Sequence, residues 1–114
     1  MIRTRKILIY TTDTIEFVDI KNIVSIRALD NYSQVFLHDG RSIVSTITFG
    51  KLSYMLGEHG FFQCHKSFTI NLSAIRRYHK CGDIEMVDSS LIPLARRRKD
   101  DFDDLISERS LQMT

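Results

Sequence analysis

Little in this chain punctuates it. Among 114 residues there are one proline and five glycines. No low-complexity tract and no repeat occurs, so nothing marks an internal linker. A single domain, residues 1–114, is expected, with room for one modest core. Cysteine is equally scarce: Cys64 and Cys81 are the only two. In a chain without a secretion signal they point to a reducing cytoplasm rather than a disulfide scaffold. No run of eighteen apolar residues exists, which excludes a membrane-spanning helix. The opening MIRTRKILIYTTDT has a charged head, but its apolar part is four residues long. That is too short for a signal peptide and suits a first strand. Neither a Walker-type loop nor a GxGxxG occurs, and the acids are scattered singly through the strands, so no phosphate cradle or paired-carboxylate site is expected.

What is present reads as a folded protein, since 43% apolar and 26% charged residues are enough to bury a core. The formal net charge of +2 hides an asymmetry. Residues 1–99 hold fifteen Lys and Arg against nine Asp and Glu, and residues 100–114 hold one Arg against five acids. The basic excess belongs to the body and peaks at Arg96–Lys99, RRRK. Taken alone the run reads first as a solvated basic face, with a polyanion partner as the other reading.

Most of the chain reads as short strands. KILIY and TIEFVDI flank a turn-like TTD. NIVSIRAL alternates, with Val24, Ile26 and Ala28 on one face and Ser25 and Arg27 on the other. Asp30-Asn31 breaks it, because both tolerate left-handed backbone. YSQVFLH and RSIVSTI flank Asp39-Gly40, a two-residue hairpin signal. SFTIN, AIRRYHK, IEMVD and LIPLA follow, with CGD and DSS as turns. One short helix is expected near 48–57, with Thr48 as N-cap, Phe49, Leu52, Tyr54, Met55 and Leu56 as its apolar stripe, and Gly57 as its C′ residue. A final helix is expected from about Arg97 to Gln112, with Phe102, Leu105, Ile106 and Leu111 as its apolar side. Arg96–Lys99 then lie at the end where the macrodipole disfavours cations. Either they serve another purpose, or acids of the next turn compensate through pairs such as Arg97 with Asp101.

Cys64, His65, His79 and Cys81 are of the types zinc prefers, but adjacent Cys64 and His65 point to opposite faces of a strand. No metal site and no cofactor is therefore expected. A Cys64–His65 nucleophile lacks an oxyanion hole and a second acid, and catalysis finds no support. Strand parity decides more. Phe68 and Ile70 share the core face, which continued backward would bury Lys66 unpaired. The regular strand is therefore expected to start near Ser67, with Gln63–Lys66 bent out and Lys66 at a loop edge.

IVSIRALDNYSQVFLHDGR, then F-x-x-L-x-x-x-L from Phe49, then FFQCHKSFTINLSAI, then LIPLARRRKDDFDDL together resemble the LytTR DNA-binding domain of bacterial response regulators. The resemblance runs from about residue 5 to 107, with an acidic helix continuing to about 112. It implies a mostly β fold of about ten short strands in small antiparallel sheets. It implies sequence-specific reading of double-stranded DNA by loops that enter successive major grooves of direct-repeat sites on bent DNA. A second copy would bind beside the first. Asn31 and Tyr32 fall where the family contacts bases. Lys66 falls on the polar position after the family's His, and Arg96 on its Arg after the proline-containing strand. Arg96 suits guanine and Asn31 suits adenine. Ser67, Arg97, Arg98 and Lys99 would hold phosphates, while His65 and Asn71 would be structural and shape the Lys66 loop. Ala95 stands where the family commonly has Ser, and Arg98 where it often has an aromatic. The chain is too short for a receiver domain beside this fold. It is expected to be either a piece of a two-domain regulator, with that domain in cis, or a stand-alone protein answering to a membrane regulator in trans. The alternative is a protein-interaction module using the same basic edge.

Overall fold

The computed structural model describes residues 5–113, with the side chains of the last helix described as far as residue 108. Strands β1 (Lys6–Tyr10) and β2 (Ile15–Asp19) form a two-stranded antiparallel ribbon. Its turn is closed by Thr11, whose hydroxyl accepts the Thr14 amide at 2.8 Å and the Asp13 amide at 3.2 Å. This is the self-bonding turn that TTD predicts. Strands β3 (Ile23–Leu29), β4 (Tyr32–Leu37) and β5 (Ser42–Ser45) lead to helix α1 (Phe49–Leu56). Strands β6 (Phe61–His65) and β7 (Phe68–Asn71) then complete a five-stranded antiparallel sheet ordered β5-β4-β3-β7-β6. Strands β8 (Ile75–Tyr78), β9 (Asp83–Met86) and β10 (Leu91–Pro93) make a three-stranded sheet, and α2 (Lys99–Met113) closes the chain.

The central sheet is buried on both sides. Ile9, Ile26, Val35, Leu52 and Leu56 pack together where the ribbon and α1 cover one side. Val24, Ile70, Ile84, Met86 and Phe102 pack together where the three-stranded sheet and α2 cover the other. A central strand covered twice loses its polar alternation, which is why Ile23 to Ile26 of β3 are all buried.

Several expectations need correction. Val24 does not share a side with Ile26 and Ala28. The register against β4 slips between Ile23 and Ser25, and this bulge turns Val24 into the opposite core. The Asp39-Gly40 hairpin has a three-residue turn, since Leu37 donates its amide to Arg41 carbonyl at 2.9 Å and Gly40 takes the left-handed φ of 90°. Thr48 does cap α1, its hydroxyl accepting the Lys51 amide at 3.3 Å. The buried stripe, however, is Phe49, Leu52, Ser53 and Leu56, at the helical spacing 0, 3, 4, 7. Tyr54 is 85% exposed, and Ser53 takes an inner place by sharing a 2.7 Å hydrogen bond with Thr69 of β7. Gly57 stays in right-handed backbone and starts a 3₁₀ turn, and Gly60 takes the left-handed conformation at φ 82°. The last helix begins with a 3₁₀ turn, Arg96–Arg98, before α2 proper. Phe102 is fully buried, with Leu105 and Ile106 partly so, and the Leu111 side chain lies outside the described residues.

Candidate nucleic-acid interface

Antiparallel pairing brings two tight turns to the same end of the central sheet. Asp30 and Asn31 join β3 to β4, with Leu29 opposite Tyr32 and Asp30 in the left-handed region at φ 46°. Asp is among the few residues that tolerate this backbone. Lys66 and Ser67 join β6 to β7. Because β3 pairs with β7 through Arg27 opposite Phe68, the Ala28 amide donates to Ser67 carbonyl at 2.9 Å. The two tips therefore sit about two strand spacings apart, roughly 10 Å.

The second turn is built as a miniature cap. The Ser67 amide donates to His65 Nδ1 at 3.1 Å, and the His65 ring meets Phe68 edge-on at 5.7 Å. Since Nδ1 accepts, a neutral imidazole carries its proton on Nε2. Lys66 is left exposed at the tip. Gln63–His65 are not bent out of the sheet, as parity implied, but belong to β6. Their register slips between Gln63 and His65, so Cys64 is the extra residue of a bulge. That bulge drops Cys64 into the core while Lys66 remains outside. Burial pushes the Cys64 thiol up to about 12, which keeps it protonated at neutral pH.

The basic segment joins these tips through the free edge of β6. The Ala95 amide donates to Cys64 carbonyl at 2.9 Å, and Arg98 Nε donates to Gln63 carbonyl at 2.9 Å. Arg96 and Arg97 lie between these two anchors and are exposed. Asn31, Tyr32, Lys66, Arg96 and Arg97 thus occupy one end of the sheet in a row. Among the described residues, none of these five makes a side-chain hydrogen bond or ion pair within the chain.

The other expected contacts are more committed. Arg98 reaches Asp101 at 2.7 Å and stacks its guanidinium carbon 4.5 Å over Phe62. Lys99 pairs with Asp103 at 3.0 Å, and this hydrogen-bonded carboxylate holds the ammonium above its usual range. The acids of α2 do compensate the cations, but through these pairs rather than Arg97 with Asp101. Asn71 is structural at the opposite end of β7. It donates to Ile23 carbonyl at 2.9 Å and accepts the Ser73 amide at 3.0 Å, so it ties β3 to the β7–β8 turn instead of shaping the Lys66 loop. Phe62 and the Gln63 carbonyl, which anchor the basic segment, were not singled out from sequence, and Asp101 was, but as a partner of Arg97 and not of Arg98.

His79 and Cys81 do not converge with Cys64. His79 is 2.9 Å from Glu85, and Cys81 is exposed. Among the described residues no three His, Cys, Asp or Glu side chains gather as metal ligands, and no helix is long and apolar enough to cross a membrane.

The family model of the LytTr DNA-binding domain matches residues 13–107. The chain belongs to the LytTR family. Its fold agrees with the LytTr DNA-binding domain of a methyl-accepting/DNA response regulator from Bacillus cereus, at a TM-score of 0.74 and 19% identity. That likeness covers 91% of this chain and 97% of the other. No curated protein matches the chain. The ten strands in three small antiparallel sheets are those expected of a LytTR domain.

Proposed function

We propose that this chain is a cytoplasmic, non-enzymatic module that binds double-stranded DNA sequence-specifically and regulates bacterial transcription. One observation carries the reading: a LytTR chain has three separate segments, 30–32, 66–67 and 96–97, meeting at one sheet end with their polar and cationic side chains unpaired inside the protein. Cations without an internal carboxylate are free to replace phosphate counterions, and turns project further into a groove than strands do. Arg96 reads guanine O6 and N7, Asn31 reads adenine, and Lys66 and Tyr32 contact neighbouring bases. Ser67 and Arg97 hold phosphates and fix register, whereas Lys99 is already paired with Asp103.

The two hairpin tips span about one major-groove width, roughly 12 Å. Arg96 continues the row beyond β6 toward the next groove, and bending brings that groove closer. The molecule measures 42 × 40 × 23 Å, so its long dimensions exceed one helical turn of DNA, about 34–36 Å. Two copies on direct repeats lie side by side along one face of the duplex. Control then comes from a receiver domain in cis or a membrane regulator in trans.

Enrichment of bound duplexes from a random pool at moderate salt tests this reading. The expected result is a short motif recovered twice in direct orientation at fixed spacing. Binding without a motif, tracking ionic strength alone, would overturn it. Partner capture that survives high salt without DNA binding would favour a protein-interaction module on the same edge.

A further inference from the structure

We propose that Arg98 is a positioning residue for Arg96, and not one of the phosphate contacts that a run of four cations suggests. The proposal deepens the DNA-binding reading and rests on it.

The 3₁₀ turn Arg96–Arg98 is fastened at both sides. Before it, the Ala95 amide donates to Cys64 carbonyl at 2.9 Å. At its last residue, Arg98 Nε donates to Gln63 carbonyl at 2.9 Å, one residue earlier on the same strand. The Arg98 amide closes the turn onto Ala95 carbonyl at 2.9 Å. Two anchors on adjacent residues of β6 thus bracket Arg96 and Arg97, whose direction follows from the anchors and not from their own contacts.

The Arg98 head is also fixed from two further directions. Its plane lies over the Phe62 ring, with the central carbon 4.5 Å from the ring centroid, and Nη1 reaches Asp101 at 2.7 Å. Phe62 is in turn locked against Phe102 of α2 at 5.9 Å. A planar fork that stacks and bonds along two edges is something only Arg offers among cationic side chains. The same arrangement makes it a poor phosphate contact. Asp101 neutralises its charge, and a phosphate beside it would face that carboxylate. Arg97, one residue earlier, has no such partner and takes the phosphate role.

Competition binding of the full chain separates the two roles, using the selected operator and the operator altered at the base pair read by Arg96. Arg98→Lys keeps the charge and loses the fork. Positioning predicts that discrimination between the two duplexes falls by about fivefold or more, toward the Arg96→Ala level, with the salt slope unchanged. A phosphate role predicts unchanged discrimination. Asp101→Asn, at an exposed site that leaves the core untouched, keeps the question decidable if Arg98→Lys folds poorly. Positioning predicts lost discrimination with no gain on random DNA, whereas a phosphate role predicts tighter binding to every sequence. Hydrogen exchange adds a readout without DNA, in which the Ala95 amide loses protection in Arg98→Lys. Retained discrimination in both variants, with wild-type preference intact, overturns this role alone. A wild-type chain with no base preference overturns the functional reading and this role with it.

Discussion

Two groups of three basic side chains lie on this molecule, and they differ in one respect that matters. Lys66, Arg96 and Arg97 stand at the end of the central sheet without a carboxylate. Arg76, Arg77 and His79, on and beside β8, surround one: Glu85 lies 3.5, 3.6 and 2.9 Å from them. Arg76 is further tied to Val87 carbonyl at 2.7 Å. A count of Lys, Arg and His scores the two groups alike. Only the first can take up a phosphate without first giving up an internal partner. The proposed interface is marked by missing acids more than by present bases.

The largest effect is expected beneath both groups at once. Phe102 is fully buried, 5.9 Å from Phe62 under the basic segment and 5.2 Å from Tyr78 at the end of β8. Phe102→Ala should cost about 3–5 kcal/mol of stability, read by denaturant titration. A loss near zero would mean that the two groups do not share a scaffold.

Next comes the contrast itself. Arg96→Ala should weaken operator binding by about 1–3 kcal/mol and relax preference at one base pair. Arg97→Ala should instead weaken all sequences alike, lowering the salt slope by about one. If Arg77→Ala matches Arg96→Ala, the distinction between paired and unpaired cations fails.

Releasing the second group is a gentler probe. Glu85→Gln should leave DNA affinity and salt slope unchanged, because β8 does not face the duplex in this reading. Its own signature lies in acid. The His79 hydrogen bond, helped by Arg77, holds the Glu85 carboxyl below its ordinary value of 4.5. A depressed carboxylate stabilises the fold above that value, and the contribution is lost as pH falls through the lower folded value. Thermal melts of wild type should therefore show a loss below about pH 4.5 that Glu85→Gln partly lacks.

The smallest effect is chemical. With Cys64 buried and Cys81 exposed, a thiol reagent at neutral pH should label Cys81 alone in the native chain and both after denaturation. Double labelling of native protein would mean that the β6 bulge opens readily.

Local chemistry was legible wherever it acts alone. The Thr11 turn and the Thr48 cap follow from side chains bonding nearby backbone, and the Asp30-Asn31 break from the left-handed backbone that Asp30 tolerates. The position of Lys66 at a loop edge followed from the cost of burying it. The bulges at Val24 and Cys64 did not follow, because a bulge is a property of two paired strands and neither sequence shows it alone. Tyr54 and Met55 looked like core because apolar residues at neighbouring helix positions do not reveal which way the helix will roll. A buried Ser53 can only be understood from Thr69 across the interface. The grouping of 30–32, 66–67 and 96–97 at one sheet end came from the family resemblance, and the strand order gives it a physical cause. How Arg98 is held depends on Phe62 and Gln63, more than thirty residues earlier, and no local pattern announces it.

The fastening of residues 95 and 98 to β6 has a consequence for solubility. Strand β6 ends the central sheet, and an uncovered edge offers unpaired backbone groups to any passing strand. Its sequence, FFQCH, is rich in aromatic residues and uncharged apart from a histidine, the sort of segment that templates aggregation when exposed. By occupying the carbonyls of Gln63 and Cys64, the basic segment acts as a guard against edge-to-edge association, and its repelling charges reinforce that guard. A chain whose residues 95–98 come loose would lose its protection from itself and, on the function proposed above, its hold on DNA together.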